Sequence, residues 1–327
     1  MDMDKISGQK SAVHYLYPPI NPFDQRMMEM PGGHTIYVEQ CGNPDGVPVV
    51  VLHGGPGGGC SPAMRRYFDP KIYRVVLFDQ RGCGRSKPHS SVTNNTSWDL
   101  VADFERIRDV LEIEQFIVFG GSWGATLALI YTQAHPDRVR HVVLRGVFLM
   151  MQRELDWFYG GGAGQFWPEP WARFVELIPE NERDDIIGAY HKRLFSGDVP
   201  LETRFGKAWS SWENALASVY SNGFSGDAPG EYARAFSRLE NHYFVHGGFL
   251  ETDGQLLANI ARMSHIPGII VQGRYDMICP PKSAYDLAQA WPNADLRFVR
   301  NAGHALSEPG ISAELVRAMD QIGESVT

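Results

Sequence analysis

Cysteine is scarce in this 327-residue sequence: Cys41, Cys60, Cys83 and Cys279 lie far apart, with neither paired nor metal-type spacing. That scatter speaks against a disulfide framework and a zinc site, and for reduced, buried thiols in a cytoplasmic protein. Long apolar runs are missing too, since none approaches the roughly 18 residues that span a bilayer. The opening "MDMDKISGQKSAVHYLYPPINPF" lacks the cationic start and apolar stretch of a secretory signal. Nor is there a basic patch. With 30 Lys and Arg against 38 Asp and Glu the formal net charge is -8, which argues against nucleic acid or an anionic membrane as partner.

What is present is a series of short apolar runs: "VVVL" (49–52), "RVVLF" (74–78), "FIVF" (116–119), "HVVLR" (141–145), "GIIVQG" (268–273) and "LRFV" (296–299). Continuous rather than alternating, they suit strands buried on both faces of a parallel sheet. "HTIYVEQCG" (34–42) reads instead as an antiparallel edge strand. Residues 97–112 place Leu100, Phe104, Ile107 and Leu111 on one helical face, with Thr96 and Asp99 spaced as a capping box. A second helix follows Ser122 and ends before Pro136. Strand, helix and strand in succession predict a doubly wound α/β sheet. From 149 to 255 the alternation stops, and this helix-biased stretch holds 19 of the 38 aromatic residues. It reads as a cap inserted into a sheet domain made of 1–148 and 256–327.

Within "QFIVFGGSWGATLAL", Gly120-Gly121-Ser122-Trp123-Gly124 matches G-x-S-x-G at a strand-to-helix turn. Such a turn lifts a serine hydroxyl clear of the sheet, but the hydroxyl is a poor nucleophile until a histidine, oriented by a carboxylate, takes its proton. On this architecture the partners follow in the order Ser, Asp, His. Asp276 in "GIIVQGRYDMICPP" and His304 in "LRFVRNAGHALSEPG" stand just past two late strands and fit those places. The loop "HGGPGGG" (53–59) offers backbone N–H groups for an oxyanion hole, from Gly55 and from Trp123, the residue after the serine. It lacks the lysine and the serine or threonine of a phosphate-binding loop.

With these residues in place the chain resembles the proline iminopeptidases of the α/β-hydrolase fold. The likeness covers nearly the whole length and rests on "HGGPGGG", "LFDQRGCGRS", "DLVADFERIR", "GGSWGATLAL", "LRGVF", "WSSWE", "LENHYF", "GRYDMICP" and Gly303-His304. The resemblance implies a serine exopeptidase that removes N-terminal proline from peptides through an acyl-enzyme, without metal or cofactor. It also implies substrate-binding roles for Glu213 and Glu240, which would hold the free ammonium, and for Phe148, Phe158 and Phe244 around the proline ring. Ala305 departs from the serine common in the family after the histidine. A broader aminopeptidase or a carboxylesterase on the same scaffold is the alternative, because fold and triad fix acyl transfer but not the acyl group. Peptides are the expected partners, and a homo-oligomer is left open.

Overall fold

The computed structural model describes residues 12–219 and 228–326. All six apolar runs become strands of one sheet of eight: β1 (Asp24–Met30), β2 (His34–Gly42), β3 (Val47–Leu52), β4 (Tyr73–Phe78), β5 (Phe116–Ser122), β6 (Val139–Val147), β7 (Gly268–Gly273) and β8 (Ala294–Val299). Their order in space is β1-β2-β4-β3-β5-β6-β7-β8. β1, β2 and β4 pair antiparallel, and every pair from β4 through β8 is parallel. This is the α/β-hydrolase architecture expected from the sequence.

Two strands differ from expectation at the edges. "HTIYVEQCG" is β2, antiparallel but not an edge, because β1 pairs along its outer side with Asp24 opposite Gln40 and Met30 opposite His34. In β1 only Met28 and Met30 are buried among charged neighbours, so no apolar run marks it. β8 closes the opposite edge and is half-buried rather than covered on both faces.

Period-two alternation sorts the central side chains onto two faces. Val50, Leu52, Val76, Phe78 and Val118 pack with Leu100, Phe104 and Ile107 of α1 (Ser97–Val110) and with Leu127 of α2 (Trp123–Ala134). Val49, Val51, Val75, Leu77 and Ile117 face the other way, toward Leu315, Met319 and Ile322 of the C-terminal helix Pro309–Val326. The Thr96 and Asp99 capping box starts α1 as the spacing predicts.

Between β6 and β7 the described chain is helical: α3 (Gln152–Tyr159), α4 (Pro168–Glu176), α5 (Ile186–Leu194), α6 (Val199–Leu216) and α7 (Gly230–Val245) precede short turns up to Arg262. Aromatic rings form much of its interior. Tyr159 stacks on Trp209 at 4.4 Å and Phe174 on Tyr190 at 4.4 Å. Polar contacts tie this layer to the sheet: Trp157 Nε1 donates to Met277 O at 2.8 Å, Ser283 Oγ to Glu154 at 2.5 Å, and Tyr243 OH to Asn95 Oδ1 at 2.8 Å.

Candidate active site

Because β3 through β8 run parallel, their C-terminal ends share one rim, and the order turns in opposite directions on the two sides of β3. Loops leaving such a switch point diverge and open a crevice. Ser122 stands at the end of β5 in this crevice, with φ 58° and ψ -126°, a backbone conformation that L-residues rarely adopt. The flanking glycines have steric causes. A β-carbon on Gly120 would land on the Gly124 carbonyl, and one on Gly124 would land on the Leu52 carbonyl of β3.

Asp276 lies just past β7, and His304 just past β8. His304 Nδ1 bonds Asp276 Oδ2 at 2.8 Å. Asp276 is itself fixed by the Ile278 and Cys279 N–H groups at 3.0 and 2.8 Å and by Gln272 Nε2 at 3.2 Å. The backbone N–H groups of His304 and Ala305 both donate to Ala217 O, at 3.0 and 2.7 Å, so the loop is pinned without a hydroxyl at position 305. Burial lowers the His304 pKa, Asp276 opposes this and the Arg145 cation adds to it. The imidazole is therefore neutral near pH 7 and able to accept a proton.

Sequence reasoning gave Arg145 no role. Its guanidinium is buried at the end of β6, where Nη1 donates to His304 Nε2 at 3.0 Å and to His304 O at 2.8 Å. A donor at Nε2 leaves the ring proton on Nδ1, beside Asp276, the tautomer a base needs. Arg145 thus holds the nitrogen that would receive the serine proton. Ser122 and the buried Cys279 line the same cavity. The signal for Arg145 was available: a cation inside a run buried on both faces calls for a reason.

The loop after β3 crosses over the serine, and a β-carbon on Gly54 would sit 3.2 Å from Ser122 Cβ. Gly55, at φ +106°, lines the cavity together with Ser122, Glu213, Glu240 and Ile278. One part of that cavity is walled by Phe148, Phe158 and Phe244 and has about 10 Å³ free, room for about one water molecule. The adjoining part, with about 170 Å³, reaches Arg145, His304, Asn214 and Phe236. The cavity is lined by Ser122, His304, Gly55, Glu213, Glu240, Phe148, Phe158 and Phe244, with Asp276 bonded behind His304 and Trp123 next to Ser122 in the chain, though the aromatic slot must widen to admit a ring.

Glu213 comes from α6 and Glu240 from α7. Glu240 is buried and accepts from Trp209 Nε1 at 2.5 Å. Glu213 keeps part of its surface open to the cavity but is otherwise enclosed. Burial raises the pKa of both, and the neighbouring Glu213 charge raises that of Glu240 further. Two carboxyls held this way favour whatever cation enters between them.

Residues 47–310 match the alpha/beta hydrolase fold family. The chain is 51% identical over 310 residues to a proline iminopeptidase of Arabidopsis thaliana, covering 94% of this chain and 82% of that one. It is 48% identical over 309 residues to the proline iminopeptidase of Neisseria gonorrhoeae, covering 94% and 98%. Among solved structures, an esterase from Exiguobacterium antarcticum superposes with a TM-score of 0.60 at 17% identity, over 92% of this chain and all of that one. No helix among the described residues is long and apolar enough to cross a membrane.

Proposed function

The chain belongs to the proline iminopeptidase family of α/β hydrolases, and from that premise we propose that it releases N-terminal proline from peptides through a prolyl-enzyme on Ser122. Arg145 yields His304 Nε2 to the serine hydroxyl, and Oγ attacks the prolyl carbonyl carbon as Nε2 accepts the proton. The N–H groups of Gly55 and Trp123 meet the negative charge that develops on the carbonyl oxygen. The C–N bond then breaks, with His304 protonating the departing amine. Water repeats the sequence in reverse and frees proline, while Asp276 keeps the imidazole oriented.

The observation that supports this substrate is the acidic pair in an aromatic slot beside the serine. Burying two carboxyls is unfavourable unless a cation and hydrogen-bond donors compensate. The secondary ammonium of an N-terminal proline supplies both, and Phe148, Phe158 and Phe244 flank the ring. We read the helical segment 149–255 as the cap that carries most of this selectivity over the catalytic domain of 1–148 and 256–327.

The test compares a proline arylamide with the alanine arylamide and a simple ester, with Ser122→Ala as control. Marked preference for the proline amide is expected. Ester cleavage without proline amide cleavage would discard the substrate while keeping the serine. Equal cleavage of proline and alanine amides would point to a broader aminopeptidase.

A further inference from the structure

The motif "LFDQRGCGRS" has no part in the chemistry above, yet its Gln80 links His53, at the start of the glycine loop, to the Trp123 indole. Gln80 follows β4, and its amide reaches across the end of β3 toward β5. Its Nε2 donates to His53 O at 3.0 Å, and its Oε1 accepts from Trp123 Nε1 at 3.0 Å. Its backbone N–H donates to His53 Nε2, also at 3.0 Å. With Nε2 accepting, the His53 proton sits on Nδ1, 2.9 Å from Gly54 O, where the Gly59 N–H also approaches at 3.2 Å. Burial, which lowers the His53 pKa, keeps the ring neutral for this double duty. Gln80, His53 and Trp123 are all buried, so water does not replace a missing partner.

We propose that Gln80 is the positioning residue that sets the spacing and direction of the two oxyanion donors, Gly55 N–H and Trp123 N–H. The inference rests on the assignment of those donors made above. Gly54 O and Gly55 N–H belong to one planar peptide unit, so fixing the carbonyl fixes where the N–H points. Within the loop only the His53 ring and the Gly58 N–H, at 3.1 Å, hold Gly54 O, and glycine backbone is otherwise permissive, so the anchoring of His53 by Gln80 bears directly on where the loop sits. On the other side, anchoring the indole holds the residue whose backbone supplies the second donor. A primary amide suits the bridge because it donates with one arm and accepts with the other, whereas glutamate only accepts and methionine does neither of these strongly. Oxyanion stabilisation depends on donors lying about 2.7–3.1 Å from the oxygen in its charged form, so a slackened bridge weakens the transition state more than the bound substrate.

Two inhibitors separate these effects. Pyrrolidine-2-boronic acid adds to the serine oxygen and becomes a tetrahedral anion, whereas prolinol carries the same ammonium and ring without an electrophile. Gln80→Met keeps the backbone N–H that orients the His53 ring but releases the His53 carbonyl at the root of the glycine loop and the Trp123 indole; kcat is expected to fall on the order of 10²-fold, boronic acid affinity to fall by a similar factor, and prolinol affinity to stay within about 2-fold. Trp123→Phe keeps the backbone donor and deletes only the indole N–H. It should lose less, and the double variant should be no worse than Gln80→Met alone, since both cut one bridge. Equal loss of prolinol and boronic acid affinity, or unchanged boronic acid affinity, would overturn the proposal. If Gln80→Met does not fold, the same comparison in Gln80→Glu and Trp123→Phe decides it. A wild-type enzyme that neither cleaves prolyl amides nor binds the boronic acid would sink the underlying site assignment and this proposal with it, a result distinct from failure of the bridge alone.

Discussion

Ser122 is bordered by two walls of different character. On the sheet side most polar groups have fixed partners: Asp276 takes two backbone N–H groups, His304 is held by Asp276 and Arg145, and His53 and Gln80 brace the glycine loop, while the buried Arg145 Nε has none. On the helical side two carboxyls sit among phenylalanines with little free space and raised pKa values. The first wall is largely satisfied as it stands, Arg145 Nε apart, as suits pre-organised catalytic machinery. The second is electrostatically incomplete, and we propose that this incompleteness selects a cationic substrate. Chemistry and selectivity are therefore separable here, and each should fail without the other.

The largest effect expected is on the sheet side. Ser122→Ala should lower kcat on the order of 10⁶-fold for every substrate, amide or ester. A variant keeping a tenth of the activity would remove the serine from the account. Next comes blocking the substrate itself. Acylating the imino nitrogen of a proline arylamide removes the cation but leaves the scissile bond, and should lower kcat/KM on the order of 10³-fold, about 4 kcal/mol. Retention of activity would mean the carboxyls do not read the amine.

pH separates the walls more gently. His304 works when neutral, and its pKa lies below the usual 6.5, so ester hydrolysis should keep its acid limb under that value. The acidic pair works when ionised, and its raised pKa means that ionisation is lost at higher pH than for an ordinary carboxyl. The acid limb of kcat/KM, which reports the free enzyme, should therefore lie higher for a prolyl amide than for an ester. Trp209→Phe should widen the gap slightly, because the indole N–H stabilises ionised Glu240. Coincident limbs in both enzymes would contradict the division.

The sheet wall was legible in the sequence because its constraints are local and repeat with the fold. Apolar runs mark the central strands, and the serine, aspartate and histidine stand at strand ends in a fixed order. β1 escaped because an edge strand buries only every other residue, and Met28 and Met30 alone do not make a run. Nothing local distinguishes Glu213 or Glu240 from solvated helix glutamates. The role proposed for them depends on α6 packing on α7, with Gly206 beside Ser237, and only family likeness pointed to them. Arg145 and Gln80 lay inside quoted motifs, but what they touch depends on the register of three neighbouring strands, which spacing along the chain does not reveal.

The most direct test of the division is the ratio of kcat/KM for a proline arylamide to that for a small neutral ester, measured in wild type, Glu213→Gln and Glu240→Gln. Each glutamine variant is expected to lower the ratio on the order of 10²-fold or more, with ester hydrolysis within a few-fold of wild type. Equal losses on both substrates would show that the carboxyls hold the structure rather than read the amine.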